Sequence, residues 1–260
     1  MRYLITDICL DHYQSRQKFT IVKHLRFLAK KDSSVKTFMF KNSAIYSSLI
    51  EGSGIDYDSY VKNKNSGNET REIKQIDDLI EAYNFAKTHT LNQANLLKVH
   101  SIITKNIELL PTLKGKYRNK NVYVMQGSKI IYTGAEYSIV KAEMNKFFKD
   151  IIALKKRKKI TYNQGFYYAS LIHLVFVKIH PFGDGNGRTA RLLEKWFLAH
   201  FFGNICFSIP SEAYYWHKRM DYYYNLNIGS SYDNIDYLRT TPFLLMLPKS
   251  FGISKKMYLS

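Results

Sequence analysis

The twelve residues His180-Pro181-Phe182-Gly183-Asp184-Gly185-Asn186-Gly187-Arg188-Thr189-Ala190-Arg191 lie between two long apolar-patterned segments, and this arrangement limits the fold more than anything else in the chain. Upstream, Tyr167 to Ile179 is almost continuously apolar and reads as a buried helix; downstream, Arg188 to Phe197 places apolar residues at helical spacing. Gly185-Asn186-Gly187 supplies the unusual dihedrals of a tight turn between them. The chain must therefore run as helix, sharp polar loop and second helix, with the loop presenting the N-terminus of the second. Unpaired N–H groups and the positive end of the helix dipole make such a point an anion site, and phosphate is its obvious guest.

The side chains in the run extend that reading. Arg188 and Arg191 are three apart, so both project from the first turn of the helix, and two guanidinium forks suit a polyphosphate better than a single carboxylate. Asp184 would repel phosphate unless a hard cation lies between them, and Mg²⁺ commonly binds through one or two carboxylates plus substrate phosphates. The ligand implied is Mg-nucleotide. His180 ends the apolar helix at the lip of the turn, where a neutral imidazole could take a proton from an attacking hydroxyl. Taken singly it would be read as a helix cap before Pro181; with Asp184, Asn186, Arg188 and Arg191 at these spacings it reads as a base.

The string resembles the signature of Fic-domain proteins, His-x-Phe-x-[Asp/Glu]-Gly-Asn-Gly-Arg-x-x-Arg, met at His180, Phe182, Asp184, Gly185, Asn186, Gly187, Arg188 and Arg191. The helix carrying His173 and the segment Leu96 to His100 also resemble the family's lead-in, so that the likeness spans roughly residues 36 to 245. The resemblance implies a mainly α fold, a helical bundle with a β-hairpin flap over the active site. It further implies a protein adenylyltransferase, moving AMP from ATP to a Tyr, Thr or Ser hydroxyl and releasing pyrophosphate. On that likeness His180 deprotonates the target, Asp184 holds Mg²⁺, and Gly185, Asn186 and Gly187 form the phosphate hole. Arg188 then grips the β-phosphate region and Arg191 the γ-phosphate, while Phe182 anchors the loop.

Two other segments carry weaker matches. Thr37 to Ile50 has apolar spacing that suggests a helix over about 36–52, ending near Gly52 and Gly54. Ser47, Glu51 and Gly52 resemble the family's inhibitory motif [Ser/Thr]-x-x-x-Glu-[Gly/Asn], which implies that Glu51 pairs with Arg191 and displaces the γ-phosphate. Relatives with this helix N-terminal to the core form the glutamate-inhibited class II. Residues 115–133 carry a hairpin signal: Val122 and Val124 alternate, Gln126-Gly127-Ser128 turns, and Ile130-Ile131-Tyr132 follows. Gly115, Tyr117 and Arg118 resemble the approach to the family's flap, which makes Val122, Tyr123 and Val124 the implied target-docking strand, although the Gly134-Ala135 exit departs from the usual proline-rich one. Tyr222 and Tyr223 match paired tyrosines lining the nucleotide base pocket in similar proteins; an aromatic stripe is also ordinary core.

With 260 residues, 45% of them hydrophobic, the chain can bury one full core, and residues 1–260 read as a single domain with a mobile polar loop at about 62–72. Cys9 and Cys206 are too few for a disulfide framework or a zinc site. The start lacks a signal peptide's apolar stretch and no run reaches membrane-spanning length, so a cytoplasmic enzyme is expected, a delivered effector being indistinguishable; the short tail from Lys249 leaves no room for a winged-helix extension. The net charge of +18 and the run Lys155-Lys156-Arg157-Lys158-Lys159 raise a rival, a nucleic-acid-binding protein, against the ordinary reading of a solvated helix end. A third reading keeps the site and reverses the reaction, Glu51 helping water remove AMP from a modified protein. Self-modification and a homodimer are further implications of the resemblance.

Overall fold

The computed structural model describes residues 4–253. Met1 to Tyr3 and the Lys255-Lys256 end of the tail, on which readings of the two termini rest in part, lie outside the described residues. Six helices come first: α1 (Leu10–Arg16), α2 (Ile21–Ala29), α3 (Ser33–Ile50), α4 (Tyr57–Asn65), α5 (Arg71–Thr88) and α6 (Gln93–Ile103). A hairpin of β1 (Tyr123–Gln126) and β2 (Lys129–Thr133) separates them from α7 (Tyr137–Lys155), α8 (Tyr162–Ile179), α9 (Asn186–Phe202), α10 (Ser211–His217) and α11 (Arg219–Leu226). Two one-turn helices, α12 (Thr241–Leu244) and α13 (Met246–Lys249), close the chain. The polar stretch expected as a loop at 62–72 instead divides between the end of α4, a short turn and the start of α5.

α8 is the axis of the bundle. Its N-terminus is closed by a capping box, the Thr161 hydroxyl accepting from Gln164 N–H while the Gln164 side chain accepts from Thr161 N–H. From Gly165 to Phe176 every residue is buried, so no polar face is left and the helix has to sit inside other helices. α9 packs along it, and α3, α5, α6 and α7 wrap the pair. The core clusters around this hairpin of helices, with Phe147, Phe166, Phe176, Phe182, Leu192 and Phe197 all fully buried.

The two strands pair antiparallel, Tyr123 opposite Thr133 and Gln126 opposite Lys129, with an irregularity in register between Val124 and Met125. A two-stranded hairpin is marginal alone. Here Tyr132 pins it: its ring is buried and its hydroxyl donates to Lys178 O at 2.6 Å, at the end of α8. The hairpin expected over 115–133 thus has strands only from 123, and Val122 lies just outside, its carbonyl accepting from Gly134 N–H.

Candidate active site

The loop expected to be catalytic begins where α8 ends. His180 is the C-cap in the left-handed region (φ 53, ψ 59), the sole non-glycine residue with positive φ among those described. A histidine held there costs backbone energy, so surrounding contacts must fix it. Arg118 does so. Buried to 5% exposure, its Nε donates to His180 O at 2.7 Å, its Nη2 to Ala135 O and Ile179 O, and its Nη1 to Lys120 O, while its own N–H donates to Pro181 O. The His180 Nδ1 lies 3.2 Å from Val177 O. A carbonyl can only accept, so the proton sits on Nδ1 and Nε2 keeps its lone pair. Burial, and to a lesser degree the Arg118 charge, press the His180 pKa below its usual value, so the ring is neutral at pH 7 and suited to act as a base.

The rest of the loop is braced from within and from α6. Asn186 spans it: its Oδ1 accepts from Phe182 N–H at 3.0 Å and its Nδ2 donates to Phe182 O at 2.9 Å. The Asn186 side chain is thereby used as a loop brace, so only its backbone N–H can serve an anion. Phe182 is fully buried and its ring stacks on His100 at 3.6 Å between centroids. His100 Nδ1 accepts from Gly115 N–H and its Nε2 donates to Asp184 O, each at 2.9 Å, tying the approach to the hairpin to the catalytic loop. Burial lowers the His100 pKa to about 4, so it stays neutral. Gly185 adopts φ 75 ahead of α9 and no side chain caps that helix. The exposed Asp184 accepts from Gly185 N–H.

The two arginines have different fates. Arg188 is 9% exposed, yet its Nε and Nη1 find no hydrogen-bond partner among the described residues. Buried guanidinium nitrogens are rarely left so without a ligand. Arg191 instead makes four hydrogen bonds among the described residues, three of them to α3 and its C-cap. Its Nε donates to Ser47 Oγ at 2.9 Å, its Nη2 to Ser47 O at 3.0 Å and to Glu51 Oε1 at 2.7 Å, and its Nη1 to Tyr222 Oη at 3.4 Å. Glu51 is the C-cap of α3, with Gly52 turning away at φ 97. Burial raises the Glu51 pKa, but the charges of Arg191 and then Arg188 outweigh that and hold it below the usual carboxylate range. A Cβ added at Gly187 would collide with Glu51 Oε1. The carboxylate therefore rests on the N-terminus of α9, the place sequence reasoning assigns to phosphate.

This contact belongs to a ladder. Ser43, Ser47 and Glu51, each four apart on α3, meet Lys195, Arg191 and Gly187, each four apart on α9, in antiparallel order. At its inner end Lys195 Nζ donates to Ser43 Oγ at 2.6 Å and pairs with Glu212 Oε2 at 2.5 Å, both ends fully buried. Tyr222, expected at a nucleotide wall, is buried beneath Arg191; Tyr223 is 43% exposed and its hydroxyl donates to Ile50 O, at the end of α3. Tyr123 is 51% exposed on β1, whose outer edge carries no further strand among the described residues. Gly134 has a reason to be glycine: a Cβ there would lie 3.1 Å from His180 Cβ and 3.2 Å from Arg118 Nη2. Among the described residues no three His, Cys, Asp or Glu side chains converge as a metal site. A cation at Asp184 would thus depend on ligand oxygens, as Mg²⁺ on phosphates does.

Residues 90–198, which hold α6, the hairpin, α7, α8, the loop and most of α9, match the family model described as Fic/DOC family. This stretch of the chain is similar to the Fic/DOC family. Curated relatives are named protein adenylyltransferase Fic: one from Nematostella vectensis is 28% identical over 66% of this chain and 37% of its own length, and one from Aedes aegypti is 30% identical over 48% and 23%. The chain thus spans from 23% to 37% of the length of these relatives. The Fic fold is shared with a crystal structure of a Fic family protein from Desulfovibrio desulfuricans G20 (TM-score 0.68, 18% identity, 96% of this chain and 72% of that one). A Fic-domain-containing signaling protein from Bacteroides thetaiotaomicron is similar over 96% of both chains, with TM-score 0.67 and 16% identity.

Sequence reading passed over Arg118 and His100 as working residues of the site, although both stand in segments it singled out. Arg118 is one cation among Lys114, Lys116 and Lys120, and His100 stands alone between Val99 and Ser101; nothing local says that they reach His180 O and Asp184 O, each more than sixty residues away.

Proposed function

We propose that the protein is an adenylyltransferase that moves AMP from ATP to a hydroxyl of a protein target, and that Glu51 holds it inactive. The observation that carries the reading is the pairing of opposites at the N-terminus of α9: Arg188 is buried with unpartnered nitrogens, while Arg191 is filled by Glu51. The names of the curated relatives support the transferred group.

The chemistry follows from the chain's own groups. His180 Nε2 accepts the proton of the target hydroxyl as its oxygen forms a bond to the α-phosphorus, and pyrophosphate departs with the electrons of the α–β bridge. Backbone N–H groups of Asn186 and Gly187, joined by that of Gly185 once it is released from Asp184, would face the charge that develops, and Arg188 would hold the β-phosphate region. Mg²⁺, if held by Asp184, would neutralise phosphate charge. Arg191 would hold the γ-phosphate, but a carboxylate already bound there removes that partner and adds repulsion, leaving ATP misplaced for in-line attack. The outer edge of β1, with Tyr123 and Val124, is where a target segment could add as a strand.

The test is incubation of wild type, Glu51→Gly and Glu51→Gly/His180→Ala with α-labelled ATP and Mg²⁺. Label should appear on Glu51→Gly at about tenfold or more above wild type, since displacing one partner of a desolvated charge pair is worth about 2–5 kcal/mol, and should vanish in the double variant. Equal labelling of wild type and Glu51→Gly would remove the inhibitory role. Release of AMP from a modified protein by wild type, lost in Glu51→Gly, would favour the reverse reaction.

A further inference from the structure

Arg191 is a fully buried cation, and Tyr222 is its one hydrogen-bond partner among the described residues that α3 does not supply. Tyr222 does not end the chain of contacts. Its hydroxyl lies 3.0 Å from His173 Nε2, His173 Nδ1 lies 3.0 Å from Glu194 Oε2, and Tyr215 Oη donates to the same Glu194 oxygen at 2.9 Å. Tyr222 is 1% exposed and His173, Tyr215 and Glu194 are 0% exposed.

The direction of these bonds is fixed by what each end can do. A guanidinium only donates, so Tyr222 oxygen accepts from Arg191. Glu194 as a carboxylate only accepts, so His173 Nδ1 carries a proton, and in the neutral ring Nε2 must accept from Tyr222 O–H. Arg191, Tyr222 and His173 thus all donate in the same direction, toward the Glu194 carboxylate. Hydrogen bonds in such a chain polarise one another, and the carboxylate at its end makes the tyrosine oxygen a better acceptor for the arginine. Arg191 faces two acids: Glu51, 26% exposed on a helix end and displaceable, and Glu194, buried and acting through two side chains.

We propose that Tyr222, His173 and Glu194 are positioning residues that keep Arg191 aimed at the N-terminus of α9 after Glu51 has left, so that the γ-phosphate meets a cation already in place. The proposal rests on the reading of Arg191 as the γ-phosphate ligand. It also gives Glu194, seven residues along α9 from Gly187, a part in substrate recognition.

The experiment measures dissociation constants for ATP and ADP in the Glu51→Gly protein and in that protein carrying Arg191→Ala, Tyr222→Phe or Glu194→Gln. Tyr222→Phe removes a single oxygen from a buried ring and keeps the packing, so the fold is retained. Arg191→Ala should abolish the preference for ATP over ADP. Tyr222→Phe and Glu194→Gln should each reduce it by about tenfold, the scale of one hydrogen bond to a charged group. A residue that merely stabilised the core would lower the folded fraction and leave the ratio of the two affinities unchanged, so an unchanged ratio in both relay variants overturns the proposal. If Arg191→Ala itself keeps the ATP preference, the γ-phosphate reading falls and the relay falls with it.

Discussion

His100 shows how much a single residue outside the signature contributes to the site. Its ring connects Gly115 N–H with Asp184 O and lies flat on Phe182, so it holds the catalytic loop only while neutral. The ordinary histidine pKa near 6.5 applies to the unfolded chain, whereas burial sets about 4 in the folded one. Between these values the unfolded chain binds the proton and the folded chain does not. Stability from this group is therefore present above pH 6.5 and lost as pH falls toward 4, by at most about 3 kcal/mol. Urea unfolding at pH 7, 5.5 and 4.5 should show that decline, and His100→Asn should flatten part of it while lowering stability at pH 7. An unchanged slope in the variant would assign the acid sensitivity to other groups.

At the scale of elements, the contact proposed to be inhibitory is a matter of helix register. α3 and α9 meet through three rungs four residues apart, and the outer two, Glu51 on Gly187 and Ser47 on Arg191, lie at the proposed phosphate site, whereas the innermost does not. The innermost rung fixes the slide of one helix on the other, because the buried Lys195 ammonium needs Ser43 Oγ beside Glu212 Oε2. Ser43→Ala removes that acceptor without touching Glu51 or Arg191. It should cost about 1–3 kcal/mol of stability, the penalty for an under-satisfied buried polar group, and raise self-labelling above wild type while leaving it below Glu51→Gly. Lost stability with labelling still at the wild-type level would mean that Ser47 and Glu51 hold the register unaided.

For the molecule as a whole, a net charge of +18 is the property that most invites a nucleic-acid partner. The basic run at the end of α7 offers less than its composition suggests. Lys155 Nζ donates to Leu91 O at 2.9 Å, and Arg157 donates to Tyr168 Oη at 2.6 Å with Asp7 nearby. Duplex DNA should therefore be retained only at low salt and released by about 0.15 M, where surface charges are screened within about 8 Å; retention at that salt would restore the nucleic-acid reading. No helix among the described residues is long and apolar enough to cross a membrane. The helical class and the turn between α8 and α9 were legible in the sequence, because apolar periodicity and the Gly185-Asn186-Gly187 turn are local properties of the chain. The flap was legible only as a hairpin, since the Gln126-Gly127-Ser128 turn is local whereas the Tyr132 anchor on Lys178 O is not. That Glu51 meets Arg191 was implied only by the family resemblance; that Ser47 and Tyr222 complete the set around Arg191, while Arg188 Nε and Nη1 find no partner among the described residues, was decided by tertiary structure. The physical reason is that a residue's type and spacing set what it can bond, whereas burial and the packing of distant helices set what it does bond.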